Sequence, residues 1–255
     1  MARLAIDEAA WTNAWRSRSA AEKSVLALGL LAVAVTATRP AIVLAVLVVA
    51  VVAALAGARV PARTYLKAVA APALFVAISA VSVAITIGSG SGRGALWSWG
   101  PVAVTDETLA RAIEVTGRSM AAMAALMLLA TTTPVSDLLT GLRRLRVPEA
   151  IIDIAALIYR MLFTLLDTVG SIREAQTARL GYATGRSARR SIGSLGAAVL
   201  TQAWSRARRL EDGLAGRGYT TSLRTLAVHR PVSVPFVAAS GALVVALACW
   251  SVGWR

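Results

Sequence analysis

The chain has 255 residues, 57% of them hydrophobic, and a mean hydropathy of +0.66, which excludes an ordinary soluble domain and predicts several membrane spans. The formal net charge is +14, from 27 basic and 13 acidic side chains. A nucleic-acid-binding protein would not devote half its length to runs of Ala, Val and Leu. Basic loops on one side of a bilayer therefore explain the charge better.

Apolar runs predict an all-α, polytopic membrane protein with about five transmembrane helices and a cytoplasmic set of amphipathic helices. The predicted spans cover residues 24–38, 40–56, 66–87, 109–130 and 232–252. The predicted divisions are an N-terminal segment (1–23), four spans (24–130), a long region of different character (131–230) and a C-terminal span (231–255).

The basic residues predict the orientation in the plasma membrane. The N-terminal segment ends on Lys23, and residues 131–230 contain fifteen arginines. By the positive-inside rule, both segments are expected in the cytoplasm, and five crossings then place the C-terminus outside. The Gly/Ser-rich loop 88–100, with Trp97 and Trp99, is expected to be a flexible outer loop.

The start of the fourth span carries a row of charges. Thr105 is a predicted helix N-cap, and four charged residues follow at spacings of four, three and four, on one helix face. They are Glu107, Arg111, Glu114 and Arg118. Since Arg118 is expected inside the bilayer, the face is either a structural ion-pair ladder, which we favour, or a functional site.

Residues 131–230 predict three helices. The first is short and amphipathic, over about 136–145, and Pro148 opens a second that continues to about Arg179. The second has a polar stripe at seven-residue spacing, expected to be a wet seam, made of Asp153, Arg160, Asp167 and Glu174. The Gly- and Arg-containing segment 181–190 is expected to break the pattern before an amphipathic third helix that begins near Ile192.

The two long helices end alike. One closes on "EAQTARLGY" and the other on "LEDGLAGRGY". Glycine at the position after a helix end permits the left-handed conformation, and an arginine in the last turn suits the helix dipole. Two matching ends favour a further role, in which each helix presents an arginine to carboxylates or carbonyls of a partner.

The stretch "TTTPVSDLLTGLRRLRVPEAIIDIAALIYRMLFTLLD", both arginine-ended helices and "GRGY" resemble the T component of energy-coupling factor (ECF) transporters. "LIYRMLFTLLD", "RSIGSLGAAVL" and "AAEKSVLALGLL" resemble the CbiQ type in particular, the T component of cobalt importers. The resemblance covers nearly the whole chain, and residues 131–219 are its specific part.

The family pattern is an Ala-Arg-Gly-type motif at the end of each of two coupling helices. The resemblance implies that the first motif is Ala178, Arg179 and Gly181, interrupted by Leu180. It also implies that the second is Gly216, Arg217 and Gly218, where glycine replaces the alanine.

The resemblance further implies a non-catalytic subunit, without a cofactor, that joins two ABC ATPase subunits (CbiO-like) to a substrate-binding membrane subunit. That subunit is CbiM-like in cobalt systems, in some of them with a CbiN-like helper. Cobalt, nickel and vitamin importers all use such T components, and the sequence leaves the choice open.

Other functions fit the sequence less well. A membrane enzyme or stand-alone metal transporter lacks a ligand set, because His229 is the one histidine and Cys249 the one cysteine. There is no phosphate-binding loop, so the ATPase is expected to be another chain. A lipid-binding scaffold explains the arginines but not the matched helix ends.

Overall fold

The computed structural model describes residues 5–87, 95–99, 102–218 and 232–252. Helices make up most of this part of the chain, and the predicted loop residues 88–94, Tyr219 and His229 lie outside it. The helices are α1 (Ala5–Thr12), α2 (Ala20–Thr36), α3 (Pro40–Val52, continued by a π-turn at Ala53–Gly57), α4 (Ala62–Ala84), α5 (Asp106–Thr132), α6 (Val135–Arg144), α7 (Glu149–Ala178), α8 (Gly185–Ala215) and α9 (Val234–Val252). The strands are β1 (Thr86–Ile87), β2 (Ala95–Trp99) and β3 (Val102–Thr105).

The chain forms two compact units, divided within α6 between Asp137 and Leu138. The first, here called the membrane unit, contains residues 5–137 and α9. The second, here called the arginine-rich unit, is described from Leu138 to Gly218 and contains most of α6 with α7 and α8.

Helix α5 forms the centre of the membrane unit, where it packs against α2, α3 and α4. Its inner face carries small residues, and Ala121, Ala124 and Ala125 are buried against apolar side chains such as Leu30 and Ile42. Small side chains let helix backbones approach closely, which is the usual basis of helix association in a bilayer.

Four helices are long and apolar enough to cross a membrane, namely α3 with its π-turn, α4, α5 and α9. Together with α2 they correspond to the five predicted spans. Helix α2 has 17 residues, about 25 Å of helix against a hydrocarbon core of about 30 Å, so it is the shortest of the five.

A buried polar cluster closes the C-terminal end of α5. Lys23 is 1% exposed, and its ammonium group donates to the carbonyl oxygen of Thr132 at 2.8 Å. Asn13 Nδ2 donates to the same oxygen at 3.1 Å, and the buried Glu22 carboxylate accepts from the backbone N–H of Ser233 at 2.8 Å. Lys23 was expected at the end of the N-terminal segment, before the first span, but it lies within α2, where its buried ammonium group shares a helix-end carbonyl with Asn13.

The predicted flexible loop contains regular structure, contrary to expectation. β3 pairs with β1 and β2 in a small antiparallel sheet of order β1-β3-β2. The aromatic and β-branched residues after the Gly/Ser run, including Trp97, Trp99 and Val104, have high strand propensity. The prediction of a flexible loop relied on the glycine-rich residues 88–94 and overlooked the strand propensity of the residues that follow.

Two helices, α5 and α8, start at side-chain capping boxes. Thr105 caps α5 as predicted, since its hydroxyl accepts from the backbone N–H of Thr108. The same reciprocal capping box, between Thr184 and Ser187, starts α8 at Gly185. The expected break over residues 181–190 is therefore wrong in its second half, because this cap outweighs the low helix propensity of Gly185.

Helix α7 begins after Pro148 and ends before Arg179, as predicted, but its polar stripe is not wet throughout. Asp153 is buried and accepts from the Arg143 guanidinium on α6 at 3.1 Å. Ile154 and Ile158 on α7 are exposed. A buried carboxylate requires a partner, so the stripe begins with an α6–α7 contact and not with solvent.

Candidate functional site: two arginine-bearing helix ends

The end of α7 is a Schellman motif. The backbone N–H of Gly181 donates to the carbonyl of Gln176 at 2.8 Å, and that of Leu180 donates to the carbonyl of Thr177 at 3.0 Å. Leu180 has a φ of 57° and takes the left-handed position that glycine usually fills. Arg179, directly before it, is exposed, as is Ala178 at the last helical position. The expectation that a glycine makes this turn is therefore wrong for α7.

Gly181 has a packing role in the turn between α7 and α8. A Cβ atom at this position would lie 2.6 Å from Ser191 Oγ and 2.8 Å from the carbonyl oxygen of Gln176, which is too close for either. The Ser191 hydroxyl donates to the carbonyl of Gly181 at 2.9 Å. The structure thus explains this glycine by close helix approach.

Gln176 joins the two helices at this turn, a role that the sequence did not indicate. Its Nε2 donates to the carbonyl of Ser191 and to Ser194 Oγ, both at 3.0 Å, while its Oε1 accepts from the Tyr182 hydroxyl at 2.7 Å. All three groups lie within 18 residues in the sequence. A glutamine one turn before the Gly-Tyr pair is the only signal that the sequence offers.

The end of α8 is more open. Gly216 caps the helix in right-handed geometry, and the N–H groups of Arg217 and Gly218 donate three residues back, at 3.1 Å and 3.0 Å. Gly218 has a φ of 69°, so the predicted left-handed glycine is confirmed here. All three residues are exposed, and a side chain at Gly218 would meet open space.

Backbone conformation changes the match between the two ends. In both, the residue directly after the arginine is left-handed: Leu180 after Arg179, and Gly218 after Arg217. The sequence comparison had paired Gly181 with Gly218. That pairing is wrong in geometry, since Leu180 is the counterpart of Gly218 and Gly181 is the packed residue that follows.

The two guanidinium groups are available for an external partner. Within the part of the chain that the structure describes, the side chains of Arg179 and Arg217 form no ion pair or hydrogen bond. By contrast, Arg206 in the middle of α8 donates to the carbonyl oxygen of Thr164 and to Thr168 Oγ1, so it joins α8 to α7. The exposed arginines at the helix ends and Arg206 between the helices therefore differ in their contacts.

The charged face of α5 contains one ion pair. The Arg118 guanidinium nitrogen Nη2 lies 2.6 Å from Oε1 of Glu114, and the two side chains are 32% and 50% exposed, respectively. Glu107 and Arg111 are exposed, and neither forms an ion pair among the described residues. The Nε atom of Arg118 is buried without a hydrogen-bond partner. Of the expected four-residue ladder, the structure thus shows one ion pair, between Glu114 and Arg118.

No group of His, Cys, Asp and Glu side chains that could hold a metal ion occurs among the described residues. The site chemistry in this part of the chain consists of guanidinium donors and backbone turns.

Comparison with known proteins shows where similar chains occur. The family of cobalt transport proteins named CbiQ matches residues 12–226. The cobalt transport protein CbiQ of Rhodobacter capsulatus is 40% identical over 241 residues, which cover 93% of each chain. A fused cobalt transport protein CbiMQ of Methanocorpusculum labreanum is 28% identical over 84% of this chain and 36% of its own length. The CbiQ of Salmonella typhimurium is 33% identical over 41% of this chain and 48% of its own.

Proposed function

The chain belongs to the CbiQ family of cobalt transport proteins, and from that premise we propose that it is the coupling subunit of an ATP-driven ECF-type cobalt importer. In this role it catalyses no reaction itself. ATP is hydrolysed by partner subunits, and their movements pass through the arginine-rich unit to a separate substrate-binding membrane subunit. The cobalt ion is cargo bound by that other subunit.

One observation carries the proposal. Each of the two longest helices of the arginine-rich unit ends in an exposed arginine followed by a left-handed residue. A helix is a rigid support, and the turn ends it directly beside the guanidinium group. A guanidinium presented in this way can form two parallel hydrogen bonds to a carboxylate, which combines affinity with a fixed orientation.

The partners are part of the proposal. Two CbiO-like ABC ATPase subunits would receive Arg179 and Arg217, one helix end each. A CbiM-like membrane subunit, in some systems with a CbiN-like helper, would bind the metal. The fused CbiMQ of M. labreanum supports the CbiM-like partner, because it joins both names in one chain.

The orientation in the plasma membrane is part of the proposal. Helix α2 makes the first of five crossings, with the N-terminal segment and the arginine-rich unit on the cytoplasmic side. The concentration of arginines in the arginine-rich unit supports this placement, since the cytoplasmic loops of membrane proteins are the basic ones.

Charge reversal at the two helix ends tests the function. We expect Arg179→Glu or Arg217→Glu to lower co-purification of the ATPase subunits at least tenfold, and the double variant to abolish cobalt uptake. Removing one charged partner from an interface leaves the other unpaired, which is the physical reason for the loss. Pull-down from membranes of cells that express all subunits measures it.

Arg160→Glu is the matched control. Arg160 is exposed on α7 about 28 Å from Arg179 along the helix axis, so its reversal changes net charge equally but at a distance from the helix end. ATPase retention should stay within twofold of wild type. Undiminished cobalt uptake by the Arg179→Glu/Arg217→Glu double variant would refute the proposed function.

A further inference from the structure

Leu180 combines three properties that the fold does not reconcile. Its φ is 57°, the residue is 74% exposed, and it lies directly after Arg179 at the end of α7. The left-handed conformation brings Cβ close to the following carbonyl oxygen, so a residue with a side chain is strained there and glycine is not. An exposed leucine recovers nothing from packing inside the chain. The backbone strain at this position is therefore not offset by packing of the leucine within the chain.

The turn does not require this leucine. The equivalent position at the end of α8 is Gly218, with a φ of 69°. Two other residues with side chains have positive φ in the described chain, Arg59 and Arg146, and both present charged groups to solvent. Leu180 is the apolar one of the three. Strain retained at an exposed position beside a binding residue indicates a role outside the fold.

We propose that Leu180 is an apolar contact to the ATPase subunit that receives the end of α7. This inference rests on the proposed function. The partner surface would hold an apolar patch for Leu180 beside the carboxylate that pairs with Arg179. The left-handed turn holds the leucine beside the guanidinium group, so one rigid helix end presents both.

The two helix ends then differ in chemistry. The end of α7 binds through charge and apolar burial, whereas the end of α8, with glycine on both sides of Arg217, binds through charge alone. Complete burial of a leucine side chain strengthens binding by roughly tenfold to a hundredfold. The α7 end is therefore the tighter of the two contacts.

Three substitutions at position 180 test this in the full chain, co-expressed with its ATPase subunits. Leu180→Gly relieves the strain and copies the α8 end, so the Tm of the purified chain should rise by about 2–4 °C. The affinity for the ATPase subunits, measured by titrating them into the purified chain in nanodiscs, should nevertheless fall about tenfold. A purely structural leucine could not move stability and affinity in opposite directions.

Two further variants separate shape from polarity. Leu180→Asn tolerates the left-handed conformation but is polar, and it should lose affinity as Leu180→Gly does. Leu180→Met keeps the apolar surface and should retain affinity within about threefold. Equal retention of affinity by Leu180→Gly and Leu180→Met would overturn the inference, as would a lower Tm in Leu180→Gly.

Comparison of Arg179→Glu with Leu180→Gly distinguishes the leucine contact from the coupling function. If Arg179→Glu loses the ATPase while Leu180→Gly keeps it, the coupling function stands and the leucine contact is refuted. If Arg179→Glu and Leu180→Gly both keep it, the end of α7 is not an ATPase contact, and both proposals fail there.

Discussion

The buried charges of the membrane unit contrast with the exposed arginines at the two helix ends of the arginine-rich unit. The membrane unit buries Glu22 and Lys23 and bonds each to a backbone group at a helix end. In the arginine-rich unit, α8 has no buried residue, and both arginines at the helix ends are exposed. Buried charges need partners within the fold, whereas these two exposed arginines have no ion pair or hydrogen bond through their side chains among the described residues. This contrast separates charges that support their own unit from the two arginines that we propose bind a partner.

The largest effect on stability is expected at Lys23. Lys23→Met keeps most of the side-chain volume but leaves the carbonyl of Thr132 without its charged donor in a buried site. We expect a loss of about 2–4 kcal/mol in the free energy of unfolding. Denaturant unfolding of the purified chain in detergent measures this.

The other lysine of the chain supplies the control. Lys67 on α4 is exposed, and Lys67→Met should change stability by less than about 0.5 kcal/mol. Equal effects of the two substitutions would show that the buried ammonium group does not support the membrane unit.

A smaller effect is expected at Gln176, the residue that joins α7 to α8 in the arginine-rich unit. Gln176→Ala removes its hydrogen bonds to Ser191, Ser194 and Tyr182. The loss should be about 1–2 kcal/mol of local stability, since these bonds are neutral and partly exposed. Hydrogen exchange of the amides in the turn between α7 and α8 should become roughly tenfold faster.

Gln202→Ala is the control for this experiment. Gln202 is exposed on α8, and its side chain forms no hydrogen bond among the described residues. Its substitution should leave exchange in the turn unchanged. Unchanged exchange in Gln176→Ala as well would mean that helix packing alone holds the turn.

Much of the fold could be predicted because local signals were strong. Thr105 and Pro148 marked helix starts correctly, since capping and proline geometry act within one turn. The burial of Lys23, by contrast, depends on a tertiary contact. This burial needs the C-terminal end of α5, which lies more than a hundred residues later in the sequence.

The candidate site was predicted in part for a similar reason. The two arginines were predicted because the helix ends repeat one pattern, and the structure places both on exposed helix ends. The left-handed residue of α7 was misplaced because Gly181 was available directly beside it, and glycine usually takes that position. The close approach of Ser191 and of the Gln176 carbonyl shows that Gly181 has a packing role, which leaves Leu180 to make the turn.

The smallest effect on stability is expected where the effect on function is largest. Arg179→Ala and Arg217→Ala should each change the free energy of unfolding by less than about 0.5 kcal/mol, because neither side chain contacts its own fold through an ion pair or hydrogen bond in the described chain. Thermal unfolding of the isolated chain checks this. A loss above about 1 kcal/mol in either variant would place that arginine in the fold of the arginine-rich unit. Unchanged stability together with lost ATPase binding would show that these two exposed arginines bind a partner and do not support the fold. Buried charges such as Lys23 would then have the opposite role.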